Sequence, residues 1–148
     1  MNAAERRESV FGSWDGTVSV VGFIFGLLIH HASRQVIAIG GLGGAISATV
    51  SMGTGQFEAL EGPWHSKVPE AGAMAISTLL GSLVPIWPFF FFGTRISLFL
   101  AAWGCAGVAG WIGYEKRRGI RGYVSAYVTL LLAVALTLGV VALIPQSA

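Results

Sequence analysis

The sequence predicts an all-α integral membrane protein, a bundle of five transmembrane helices. Three observations predict it. The 148-residue chain is 54% hydrophobic and only 11% charged, whereas a soluble domain carries about 25% charge. Its mean hydropathy is +0.72, and so few charges cannot cover the surface of a water-soluble globule this small. The apolar residues also fall into five runs, each near the roughly 20 residues that cross a hydrocarbon core. Residues 1–148 read as a single transmembrane domain, with helices over about 16–30, 36–60, 69–92, 96–114 and 122–144.

The first helix opens at Ser13-Trp14-Asp15-Gly16, where Ser13 or Asp15 can cap it. Arg6 and Arg7 before an apolar run superficially fit a signal peptide. Asp15 at the start of that run, and His30-His31-Ala32 after it, do not fit cleavage, so the run reads as a retained helix. In the second helix Gly40, Gly44, Ala48, Met52 and Gln56 recur every four residues. Such small-residue spacing lets helices approach closely in lipid.

Pro69 fits the first turn of the third helix, with Glu70 favourable at its positive end. The end of that helix, Pro85-Ile86-Trp87-Pro88 followed by four Phe, reads as kinked and interfacial. The fourth helix carries a stripe of Gly104, Gly107, Gly110 and Gly113, and Pro145 closes the fifth. Cys105 lies alone in an apolar run and reads as a small buried hydrophobe.

Charge sets the orientation. Arg6, Arg7, Lys67, Lys116, Arg117, Arg118 and Arg121 fall on one side of the five-helix layout, and only Arg34 and Arg95 on the other. Positive loops stay cytoplasmic, which places the amino terminus inside and the carboxyl terminus outside. With no targeting signal in view, the plasma (inner) membrane is the expected location.

Ionisable residues at membrane depth are functional candidates by default. Asp15 and Glu58 stand out, both near the cytoplasmic side, where they could meet; a helix cap and a snorkelling interfacial charge are their plain alternatives. Met52 offers a soft thioether suited to transition metals beside the harder carboxylates. Ser51, Gly53, Thr54, Gly55 and Gln56 around it form a polar, glycine-rich patch, which belongs against protein or water and not lipid. Glu61, His65 and Glu70 in and after the connector could form a metal entry site. His30 and His31 could do so at the outer mouth, although adjacent residues do not share a helix face. No hydrolytic triad, nucleotide loop or zinc-type spacing is found, so neither enzymatic activity nor a nucleic-acid partner is expected.

These residues resemble the vacuolar iron transporter family. Asp15-Gly16 with Gly22 and Gly26 is similar to the start of its first helix. Ser51-Met52-Gly53-Thr54-Gly55-Gln56-Phe57 resembles its second-helix pattern of Ser-Met, two small residues and Gly-Glu-Tyr. Gly81-Ser82-Leu83-Val84-Pro85-Ile86-Trp87-Pro88 resembles its third-helix pattern of Gly, Leu, Pro and Pro. The order of motifs and the five-helix layout match along nearly the whole chain.

The resemblance implies a homodimer with a metal path between subunits, moving ferrous iron, and often manganese, out of the cytosol in exchange for protons. Fe2+ or Mn2+ is then substrate, and no resident cofactor is implied. By position, Asp15 is the metal-binding and proton-exchanging carboxylate and Met52 the soft ligand. Two departures matter. Gln56 stands where the family has Glu, removing one charge and one protonation site. Glu58 is a poor substitute, since two positions further on is about 200° around a helix. The long metal-gathering insertion between helices two and three is absent, with Glu61, His65 and Glu70 its only remnants. These departures leave a second expectation open, a non-transporting membrane subunit or scaffold that keeps the fold; a small channel or carrier for another solute is a third.

Overall fold

The computed structural model describes residues 3–116 and 119–144. Arg117, Arg118 and Pro145, used above for orientation and helix closure, lie outside the described residues. The chain forms α1 (Ala3–Ile29), α2 (Arg34–Ala59), α3 (Trp64–Ile86), the short α4 (Pro88–Phe91), α5 (Thr94–Glu115) and α6 (Ile120–Ala142). Among the described residues there is no strand. All but α4 are long and apolar enough to span a membrane, so the all-α, five-span architecture is as the sequence predicts.

Three boundaries differ from expectation. α1 begins at Ala3 and not near 16, so Asp15 sits mid-helix and does not cap its start. The cause is local. Ala3 to Arg7 are good helix formers, and Glu5 in the first turn complements the helix dipole. A 27-residue helix is about 40 Å long, so its charged first turns project beyond a hydrocarbon core of about 30 Å. α3 likewise begins at Trp64, one turn earlier than expected, and runs through Pro69. Neighbouring helices allow such prolines in membrane spans. At its other end α3 stops at Ile86, and Pro88 starts α4 with its fixed φ. Trp87, Phe91 and Phe92 form a ring cluster there, with centroids 6.3 and 6.0 Å from Trp87.

α1 and α3 make the most extensive helix pair. Gly12 and Gly16 on α1 meet Met74, Ser77, Thr78 and Ser82 of α3, and Gly81 lies directly on the Ser13 backbone. Thr17 Oγ1 bonds across this seam to the Gly81 carbonyl at 3.0 Å as well as to its own Ser13 carbonyl at 2.8 Å. Thr17→Val keeps the shape and removes the donor. It is expected to lower stability by about 1 kcal/mol, the scale of an interhelical hydrogen bond in membranes, read as a small fall in melting temperature in detergent.

Two clusters close the bundle. Val20 and Ile24 of α1 pack with Ile37, Ala38 and Ala45 of α2, and with Ile86, Phe89 and Ala101. Toward the other end Ala109 and Ile112 of α5 pack with Ala126 of α6, joined by Val10 and Trp14 of α1. The antiparallel α5–α6 pair closes where Gly122 approaches the Gly113 carbonyl. Arg6 of α1 bonds Glu115 at the end of α5, with its two nitrogens at 2.9 and 2.6 Å.

The glycine stripes pack differently from expectation. On α2, Gly40 of the stripe meets Phe23 and Leu27 of α1, while a side chain at Gly44 would meet nothing; Gly41 and Gly53, off the stripe, meet Ile86 and Ala75. On α5, Gly104 meets Val84 and Gly113 meets Tyr123, while Gly107 is open. A period of three or four drifts around the helix, so only some members of each stripe reach a neighbour.

Candidate metal-path site

Asp15 projects from the middle of α1 at the edge of its buried face. It is half-buried, flanked one turn away by exposed Phe11 and Ser19. No hydrogen bond or ion pair of its carboxylate is found among the described residues. α1 and α2 both pack on α3, and they touch each other where Gly40 meets Phe23 and Leu27. Along α3, Gly16 lies beside Thr78 and Ser82, whereas Gly53 lies beside Ala71 and Ala75. Met52 is thus about two turns, roughly 10 Å, nearer the Trp64 end of α3 than Asp15.

Met52 and Gln56 are half-buried on α2, and Glu58 beyond them is exposed. Between them runs an open face. Gly43, Gly44, Ser47, Ser51, Thr54 and Gly55 are all exposed. Thr54 Oγ1 is satisfied by its own helix, donating to the Val50 carbonyl at 2.7 Å. The end of α2 is fixed on α3 by Lys67, whose Nζ stands 4.9 Å over the Phe57 ring. In the α2–α3 connector and the start of α3, Glu61 and His65 are exposed and Glu70 is half-buried. His30 and His31 are exposed in the α1–α2 turn, at the other end of α1. His31 has φ of 54° there, the left-handed conformation of a turn.

Among the described residues no group of three or more His, Cys, Asp or Glu gathers to hold a metal ion. A single copy presents Asp15 on α1 and, one turn apart on one face of α2, Met52 and Gln56.

The structure also shows a polar seam that sequence reasoning passed over. Glu8 is buried at 5% exposure, as are Thr17, Ser77, Thr78 and Ser82, all between α1 and α3. Glu8 Oε1 accepts from the Nε and terminal nitrogen of exposed Arg7 at 3.1 and 2.9 Å. Ser77 Oγ donates to the Glu8 carbonyl at 3.4 Å. Ser82 Oγ, beside Gly16, is buried without a hydrogen-bond partner among the described residues. The signal was the spacing Glu8, Gly12, Gly16, which is one helix face once α1 is known to begin at Ala3.

This arrangement defines a polytopic helical membrane protein with an acid at mid-helix and a small, polar helix face left open at membrane depth. Residues 6–62, nearly all of α1 and α2 with the turn between them, match the model of the VIT family, the vacuolar iron transporters. The match is consistent with a member of that family, and membership implies membrane transport of metal ions. Comparison with curated proteins and with solved structures gives no match.

Proposed function

We propose that this chain is one subunit of a homodimeric exporter that exchanges a divalent transition metal, ferrous iron or manganese, for protons. The observation that carries the reading is the open face of α2. Serines, a threonine and glycines at membrane depth belong against protein or a water-lined path, and among the described residues no helix covers them. A second copy related by a two-fold axis covers that face with its own and brings two sets of Asp15, Met52 and Gln56 together.

In this scheme metal enters from the cytoplasmic side past Glu58, Glu61, His65 and Glu70. The ionised Asp15 carboxylate supplies charge, Met52 a soft sulfur and Gln56 its amide carbonyl. A carboxylate with a thioether disfavours calcium and magnesium relative to iron and similar metals. A proton from outside neutralises Asp15 and releases the ion. The cationic ends support the orientation. The Arg6–Glu115 pair sets the amino end of α1 beside the α5–α6 turn. Arg34 donates to the Phe92 carbonyl at 3.2 Å at the opposite end. The plasma (inner) membrane is the proposed location.

Gln56 tests the chemistry. Gln56→Glu returns the family carboxylate and is expected to tighten manganese binding about tenfold, about 1.4 kcal/mol. Isothermal titration of the detergent-purified protein reads it, and unchanged affinity would place Gln56 outside the path. Gln56 also favours the second reading, a scaffold that keeps the fold without transport. A scaffold binds no manganese in either form.

A further inference from the structure

We infer that Lys116, Arg121 and Ser125, at the facing ends of α5 and α6, bind the headgroup of an anionic phospholipid. A cavity of about 480 Å³ opens there, lined by Lys116, Arg121, Gly122 and Ser125. Among the described residues its lining holds two cations, a hydroxyl and a glycine, and no acid. Lys116 Nζ stands 3.1 Å from Ser125 Oγ, which fixes the ammonium at the cavity wall. Among the described residues no carboxylate pairs with Lys116 or Arg121. Glu115, adjacent to Lys116 in sequence, pairs with Arg6.

The surroundings select a lipid over a soluble anion. The turn joins two membrane spans, so the cavity lies at headgroup level. Beneath it, Arg121, Ser125, Val128, Leu132 and Leu136 recur at three- and four-residue intervals, and every one is exposed. That stripe is about 22 Å long from Arg121 to Leu136, a cationic and hydroxylic head followed by about 12 Å of apolar track, which takes an acyl chain through most of one leaflet. Tyr114 and Tyr123 line a second recess beside the turn, as aromatic residues do at membrane interfaces. A phosphodiester in the cavity accepts from Lys116, Arg121 and Ser125 while its acyl chains lie along α6. Cations at a membrane surface attract anionic lipid in this manner.

The test is native mass spectrometry of the full-length protein released from detergent containing phosphatidylglycerol or phosphatidylcholine. Phosphatidylglycerol is expected to remain bound at least tenfold more than phosphatidylcholine, and Arg95→Ala, at the opposite membrane face, is expected to leave that unchanged. Lys116→Gln with Arg121→Gln is expected to remove the preference. Ser125→Trp keeps both charges and fills the cavity, and it is expected to lower retention at least fivefold. Equal retention of the two lipids overturns the proposal. So does full retention by Ser125→Trp, which would assign the effect to net charge alone. Displacement of the lipid by millimolar inorganic phosphate would show an anion pocket without a lipid, and also overturns it.

Discussion

Gly81→Val is expected to prevent α1 and α3 from closing. A side chain at Gly81 falls on the Ser13 carbonyl and Cα, which are backbone and cannot rotate away. Overpacking a core with room to adjust costs about 1–3 kcal/mol. Here the helices themselves must separate, which also breaks the Thr17 bond to the Gly81 carbonyl. Against a total stability of about 5–15 kcal/mol, the expected result is loss of monodisperse protein on size exclusion in detergent. Gly107→Val is the matched control, since a Cβ there meets nothing. Its melting temperature is expected to stay within a degree or two of the parent, small on the scale of a 1 kcal/mol change. Equal behaviour of the two variants would show that the α1–α3 seam is not close-packed.

Asp15→Asn is expected to reduce metal transport at least a hundredfold while leaving the fold intact. The substitution keeps shape and removes the charge and the proton site. Asp15 makes no ion pair among the described residues, so no structural partner is orphaned. A charge at membrane depth is costly, so the neutral variant is expected to melt at the same temperature or higher. A residue that served the fold alone would show the reverse, a lower melting temperature with flux scaling to the amount of folded protein. Parent-like transport by the variant would remove Asp15 from the mechanism.

Much of this architecture could be read from the residues, and the misreadings have identifiable causes. The five spans follow from hydropathy because the bilayer demands long apolar runs. The start of α1 did not follow, because Arg6, Arg7 and Glu8 look like an aqueous tail while their helix propensity continues the span outward. That error turned Asp15 into an apparent cap and hid Glu8, whose burial depends on the register it shares with Gly12 and Gly16. Pro69 read as a helix start because its missing N–H suits a first turn, yet α3 continues through it. The small residues of α2 marked a packing face, but spacing alone could not tell which glycines meet α3 and which stay open. Gly53 meets α3 and Gly44 does not. Asp15 lies on α1, and Met52, Gln56 and Glu58 lie on α2.

Proton-coupled metal exchange is read out by flux in proteoliposomes. Purified protein is reconstituted, ferrous iron or manganese is supplied on the side of Arg6 and Lys116, and a proton gradient is imposed from the opposite side. Metal movement is expected to require the gradient, to move protons in the opposite direction and to stop when the gradient is collapsed. Folded protein that moves neither metal under any gradient would contradict it, and would leave the chain as a membrane scaffold.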